Sequence, residues 1–330
     1  ARKVEREGTP NRRNVVLVFM ESMSANLMGT FGSDKKLTPY LDSLYQQSLS
    51  FSHFYSSGIH TNHGIYSTLY SFPAIMKRNA MKGSVIPVYS GLPTVLQENG
   101  YCNLFFMTHE SQYDNMNAFL RTNGFDEIYA QENYPSEKVV NSFGVQDDFM
   151  YQYALPILNE RAGTGNPFFS VLLSISNHPP YVIPPYFHPH SDVLEEQIVE
   201  YADWSIRQFM QAAEKQPWFD NTIFVFLGDH GKMVGTPECE MPQSYNHIPL
   251  MIYGKDIKPG VYDGFGGQVD VSPTLLGLLN ISYLQNNFGV NLLEEERPCM
   301  FFTADNLIGA RDSVNMFIYS PDSQQEFKYK

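Results

Sequence analysis

Asp229 and His230 stand side by side where an apolar run ends: the stretch 222–232 reads TIFVFLGDHGK, and Gly228 breaks it just before the pair. A carboxylate and an imidazole at the C-terminal edge of a buried strand can hold a hard or borderline divalent cation. In isolation the same pair also reads as a turn cap beside a locally packed histidine. The pair therefore needs partners, and the chain offers several. Glu21 follows the run NVVLVFM at 14–20, His109 follows the run 101–107, and His178 follows FFSVLLSI at 168–175 within a proline-stiffened SNHPPY turn. Thr61 comes shortly after Gly58, at the head of a segment 61–69 that reads as the first turns of a helix. There the helix dipole and free N–H groups stabilise an attacking oxygen or a phosphate. Read alone, Thr61 or Asn62 is an N-cap. Two carboxylates, an imidazole and a hydroxyl make a four-ligand site for manganese, zinc or magnesium, and a cation-bound threonine oxygen is an activated nucleophile.

These residues can meet only if the strands that carry them share one sheet. The runs at 14–20, 101–107, 168–175 and 222–227 are continuously apolar, as strands buried on both faces are. Between them lie helical patterns. The segment TPYLDSLYQQS puts Leu41, Leu44 and Tyr45 on one face, and further helices are predicted over 92–99, 113–125, 143–158, 195–215 and 272–279. This alternation predicts an α/β fold with a central, mostly parallel sheet sandwiched by helices, whose strand ends converge on one crevice. LSFSHFY at 49–55 alternates as a strand in which His53 packs, a short strand is predicted at 248–253, and 254–267 reads as a Gly-rich loop. Strand-like runs at 300–303 and 314–319 predict a small C-terminal antiparallel β piece. The expected division is a linker over 1–13, a catalytic α/β domain over 14–293 and a small β subdomain over 294–330.

Composition narrows the function. A chain of 330 residues with 43% hydrophobic and 17% charged residues is globular, because it can bury a large core. A net charge of −13, with no basic stripe, excludes a nucleic-acid-binding surface and means that an anionic substrate requires a local positive site such as a metal. Cys102, Cys239 and Cys299 have neither zinc-type spacing nor a disulfide framework. No apolar run reaches the roughly 20 residues that cross a bilayer. The polar, basic opening ARKVEREGTPNRRN reads either as an ordinary terminus or as a juxtamembrane linker.

Taken together and in order, VVLVFMES, TPYLDSL, the Gly-x-x-Thr segment, SNHPPY, FVFLGDHG, YNHIPLMIYG and QVDVSPTLLGLL resemble the sulfatase-type fold of the alkaline phosphatase superfamily. Within it they look closest to the lipoteichoic acid synthase group of phosphoglycerol transferases. The similarity runs from about Asn14 to Leu293 and more weakly beyond. It implies that Glu21, Asp229 and His230 ligate one divalent metal, typically manganese in that group, with magnesium or zinc as alternatives. It implies that Thr61 is both ligand and nucleophile, and that His178 contacts the phosphate or the leaving group. The implied chemistry is a two-step transfer in which Thr61 attacks a phosphodiester head group, releases a diacylglycerol-like alcohol and passes glycerol phosphate to an acceptor. The implied partners are a phospholipid head group and a glycan or lipid acceptor. The implied location is extracytoplasmic, on a membrane protein whose transmembrane segments precede residue 1.

The departures from that pattern are informative. GIHTNHG carries neither the Cys or Ser nor the Arg of the Cys-x-Pro-x-Arg motif that becomes formylglycine, so sulfate-ester hydrolysis is not expected. Where the phosphoglycerol transferases have Phe-Phe-His-Gly, this chain has Met107-Thr108-His109-Glu110. Their Trp and Arg of the glycerol-phosphate pocket fall on 142–148, which has Phe143 and no Arg. His109 and Phe143, with His60, His63 and His247, are thus the candidate substrate-binding residues, for a head group that could differ. Two other functions compete: a metal-dependent phosphodiesterase that transfers to water, and an inactive domain that binds an anionic ligand. The intact set Glu21, Thr61, Asp229 and His230 weighs against the second.

Overall fold

The structure is a computed structural model that describes residues 1–330. Its centre is an eight-stranded sheet. In chain order its strands are β1 (Asn14–Met20), β2 (Leu49–Tyr55), β3 (Cys102–Met107), β4 (Glu127–Tyr129), β5 (Phe168–Leu173), β6 (Thr222–Gly228), β7 (Leu250–Tyr253) and β8 (Gly260–Gly267). Across the sheet they lie in the order β8-β2-β7-β6-β1-β5-β3-β4, and only β7 runs against the rest. The central strands β1, β5 and β6 are buried along their whole length, which is why their sequences are apolar without alternation.

Helices cover both faces. On one side α1 (Pro39–Gln47), α5 (Asp147–Ala162) and α6 (Leu194–Ala213) bury Leu41, Met150, Ile198 and Phe209 against Val16, Val18 and Phe226. On the other, α2 (Thr61–Tyr70), α3 (Leu92–Glu98), α4 (Met116–Thr122) and α7 (Val271–Leu278) pack Ile65, Leu96, Phe119 and Leu275 over Leu17, Phe105 and Val225. The predicted layered architecture is thus present. A four-stranded antiparallel sheet, Met300–Ala304, Leu307–Arg311, Met316–Ser320 and Gln325–Tyr329, forms the expected C-terminal piece. Near the start of the chain, Arg2–Val4 pairs antiparallel with Tyr283–Gln285. No helix is long and apolar enough to cross a membrane.

Three local expectations are corrected. The predicted helix 113–125 is broken, because Asp114 and Asn115 adopt φ of 53° and 62°. Tertiary contacts hold that break: Lys82 pairs with Asp114, and the Asn115 amide donates to the Met81 carbonyl. The predicted helix 143–158 begins only at Asp147, whose carboxylate accepts the Ile175 and Ser176 N–H groups. Before it, Val139–Asn141 and Gly144–Val145 pair as a small hairpin. Gly144, at φ 89°, lies so close to Thr108 that a Cβ there would sit 1.8 Å from its carbonyl oxygen. The Gly-rich segment 254–267 is not all loop, since 260–267 is edge strand β8, parallel to β2 and bulged between Tyr262 and Phe265. Its glycines admit neighbours: a Cβ on Gly266 would lie 2.4 Å from Leu292 Cδ1, and one on Gly267 2.3 Å from Met300 Cε.

Candidate metal centre

Strands β1 and β6 pair in register from Asn14–Thr222 to Met20–Gly228, so Glu21 and Asp229 leave the sheet edge together. Both carboxylates are buried, and each is oriented by local hydrogen bonds. The Ser22 hydroxyl donates to Glu21 Oε1 at 2.8 Å, and the N–H groups of Ser22 and His230 donate to Asp229 Oδ1 at 2.9 and 2.8 Å. Ser22 reaches this position with φ of 51°. Beneath them the Gln268 amide donates to the carbonyls of Gly228 and Asp229.

His230 Nδ1 donates to the Gly231 carbonyl at 2.7 Å. That bond leaves Nε2 as the ligand atom, 3.5 Å from both Glu21 Oε1 and Asp229 Oδ2. Thr61 opens α2, with Oγ1 donating to Asp229 Oδ2 at 2.7 Å and lying 3.3 Å from Glu21 Oε2. The helix reaches the sheet edge because Gly64 has no side chain, since a Cβ there would stand 2.3 Å from the Asp229 carbonyl oxygen. Glu21, Asp229 and His230 each offer a ligand atom, all within 4.8 Å of one another. The structure thus brings together all four of the proposed ligands.

The electrostatics suit a cation. Burial opposes ionisation of Glu21, but the hydrogen bond and charge of His230 and the Ser22 hydroxyl outweigh it and hold the carboxyl at about 2. Burial, reinforced by the charge of Glu21, pushes Asp229 up to about 7. Burial also opposes charge on His230, yet the two carboxylates raise it to about 10. The cluster therefore draws positive charge strongly, and its donor set of two carboxylates, one imidazole and one hydroxyl fits manganese, magnesium or zinc.

An aromatic arc flanks the cluster. His109, buried and lowered by that burial, packs its ring 4.8 Å from Tyr113. Tyr113 contacts Phe143 at 6.1 Å, and Phe143 lies 4.3 Å from the ring of His178. His178 donates Nδ1–H to the Pro179 carbonyl, which leaves Nε2 available. The remaining histidines are placed differently. His60 Nε2 pairs with Asp305, on the turn between two strands of the C-terminal sheet, at 2.6 Å. His63 is buried, with Nε2 on the Arg78 carbonyl and its ring against Gly58. His247 faces away from the cluster: Nε2 meets the Ser52 carbonyl, and the ring packs between Phe31 and Tyr55.

Sequence reasoning passed over Ser22, Asn177 and Lys232. The Asn177 amide donates to the carbonyls of Glu21 and Ser22, and its oxygen accepts Lys232 Nζ at 2.6 Å. Ser22 and Lys232 adjoin the metal-site motifs in the chain, but nothing in the sequence indicates which way their side chains turn.

The Sulfatase family profile matches residues 13–281. Among curated proteins, the chain is 25% identical over 324 residues to the lipoteichoic acid synthase-like YvgJ of Bacillus subtilis (strain 168), covering 88% of this chain and 51% of that protein. It is 23% identical over 361 residues to the lipoteichoic acid synthase of Staphylococcus aureus (strain USA300), covering 95% and 53%. The chain spans about half the length of the curated relatives it matches. Among solved structures, an alkaline phosphatase superfamily protein from Vibrio parahaemolyticus superposes with a TM-score of 0.89 at 28% identity, covering 99% of this chain and 84% of that one. The lipoteichoic acid synthase LtaP from Listeria monocytogenes shares the fold, with a TM-score of 0.81 at 22% identity and coverages of 96% and 86%. With a profile spanning most of its length and the matching fold, this chain belongs to the Sulfatase family, within the alkaline phosphatase superfamily.

Proposed function

We propose that this chain is the extracytoplasmic catalytic domain of a metal-dependent phosphotransferase. It moves a phosphoglycerol-type or related phospho-alcohol head group from a membrane lipid to a glycan or lipid acceptor. The observation that carries the reading is the placement of Thr61 Oγ1, 2.7 Å from Asp229 and 3.3 Å from Glu21 at the start of a helix. The similarity to lipoteichoic acid synthases supports the substrate class. Glu21, Asp229, His230 and Thr61 hold one divalent ion, Mn2+ by preference. Once bound, that ion lowers the hydroxyl pKa and offsets charge on the substrate.

The residues of the chain do the rest. Asp229 Oδ2 accepts the Thr61 hydroxyl and aims a lone pair of Oγ1 outward. Thr61 Oγ1 gives its proton to Asp229 Oδ2 and forms a bond to phosphorus while the bond from phosphorus to the lipid alcohol breaks, its electron pair going to the alcohol oxygen. His178, with Nδ1 committed to Pro179, protonates that oxygen from Nε2. In the second step the acceptor hydroxyl gives its proton to His178 Nε2 and its oxygen bonds to phosphorus, while the bond from phosphorus to Thr61 Oγ1 breaks and Oγ1 takes its proton back from Asp229. His109, Tyr113 and Phe143 form the wall along which the head group lies.

The test is a Mn2+-supplemented assay against head-group-labelled phosphatidylglycerol and phosphatidylethanolamine, with Thr61→Ala as the blank. The expected result is a labelled phosphothreonine detected by intact mass, and loss of at least about 10³-fold of the activity in Thr61→Ala. Undiminished turnover by Thr61→Ala refutes the mechanism. Release of the head group only to water, with every glycan and lipid acceptor tried, identifies a phosphodiesterase instead.

A further inference from the structure

Lys232 is a partly buried cation with no carboxylate partner, held at the edge of the Glu21, Asp229 and His230 cluster. Its position is set from both sides. Gly231 donates to the Tyr245 carbonyl at 2.8 Å and sits so tightly that a Cβ would stand 2.0 Å from the Ser244 carbonyl oxygen. Val234 N–H donates to the Ser244 hydroxyl. Between these anchors the Lys232 side chain crosses the ring of Tyr181, with Nζ 5.5 Å from its centroid, and ends 2.6 Å from Asn177 Oδ1. Asn177 is buried, and its amide is fixed by the carbonyls of Glu21 and Ser22, so its oxygen has one direction to face. The ammonium is therefore one side chain away from the backbone of a metal-ligand residue, beside the loop that carries His178. An ammonium has three N–H donors, and Asn177 takes one.

The other two donors face an unbalanced negative charge. Glu21 and Asp229 together carry −2, which a divalent ion cancels, and a phosphodiester adds a further negative charge. Lys232, beside the loop of His178, is placed to offset it. We propose that Lys232 binds a non-bridging oxygen of the anionic phosphodiester, orienting it toward Thr61 and setting a preference for phosphate diesters over neutral esters. This rests on the phosphotransferase reading above.

The test uses the Mn2+-loaded chain and its Lys232→Met, Lys232→Gln and Lys232→Arg variants. The measurements are KM and kcat on bis-p-nitrophenyl phosphate, the inhibition or binding constant of inorganic phosphate, and Mn2+ affinity by calorimetry. Removing one charge-assisted hydrogen bond is expected to raise KM and weaken phosphate about ten- to hundredfold in Lys232→Met. Lys232→Arg is expected to stay within about threefold, with Mn2+ affinity unchanged in all variants. Lys232→Gln keeps a donor for Asn177 and supplies the uncharged comparison if the methionine chain does not fold. The proposal is overturned if phosphate affinity is the same in the uncharged variant, or if Mn2+ weakens in parallel with phosphate, since Lys232 then only supports the loop. If the unaltered chain turns over no diester with any ion, the phosphotransferase reading fails, and phosphate binding still decides the role of Lys232.

Discussion

At the scale of single residues, the centre depends on groups that orient the ligands as much as on the ligands. Ser22 adopts φ of 51° and so directs its N–H at Asp229 and its hydroxyl at Glu21. Replacing Ser22 by Ala removes the O–H bond to Glu21 and leaves the backbone bond to Asp229. Hydrogen bonds to ligating carboxylates fix their orientation, and losing one typically costs 10–100-fold in metal affinity. Ser22→Ala is accordingly expected to weaken Mn2+ by roughly tenfold, with thermal stability of the metal-free chain little changed. Calorimetric titration of both proteins checks this, and equal affinities show that Glu21 is oriented without the hydroxyl.

At the scale of elements, the site is an encounter between a sheet edge and a helix start. The β1–β6 register delivers Glu21 and Asp229 together, and α2 delivers Thr61 only because it approaches to within side-chain-free distance at Gly64. A methyl group at Gly64 meets a backbone carbonyl at 2.3 Å, which cannot rotate away as a side chain can. Gly64→Ala is therefore expected to push α2 off the sheet edge, to lower stability by about 1–3 kcal/mol and to cut phosphothreonine formation at least tenfold, with the fold retained. Circular dichroism, denaturant titration and intact mass after substrate exposure measure the three effects. Full labelling of Thr61 in Gly64→Ala disproves the close-approach argument.

At the scale of the whole molecule, His247 sits where the main sheet, the Phe31 turn and the C-terminal sheet meet. Burial and the nearby Arg311 charge lower its pKa to about 4, against its bond to the Ser52 carbonyl. In the unfolded chain the imidazole takes up its proton near 6.5. Between those values the unfolded state binds more protons than the folded one, so stability rises with pH across that window. The contribution is complete above about 6.5 and is lost as pH falls toward about 4, an effect on the order of 3 kcal/mol. The melting temperature is expected to fall from pH 7 to pH 5 more steeply in the unaltered chain than in His247→Gln. Parallel slopes rule out His247 as a source of the acid sensitivity.

Much of this was legible in the chain itself. The apolar runs ending in Glu21, His178 and Asp229-His230 announced buried strands with chemistry at their ends, because a strand covered on both faces must be apolar until it leaves the sheet. The helix that starts at Thr61 followed from the turn signal at Gly58, and the layered α/β architecture from local periodicity. What the tertiary structure decided was direction and company. Asp114 and Asn115 break a helix whose pattern is intact because Lys82 and Met81 hold them, and β8 forms from glycines because β2 offers it an edge. His60, His63 and His247 look alike in the sequence, yet one meets Asp305, one the Arg78 carbonyl and one the Ser52 carbonyl. Which lysine faces the cluster was likewise decided by Asn177. Residue type and spacing set which groups reach the sheet edge, whereas contacts between segments distant in the chain set where each side chain points once there.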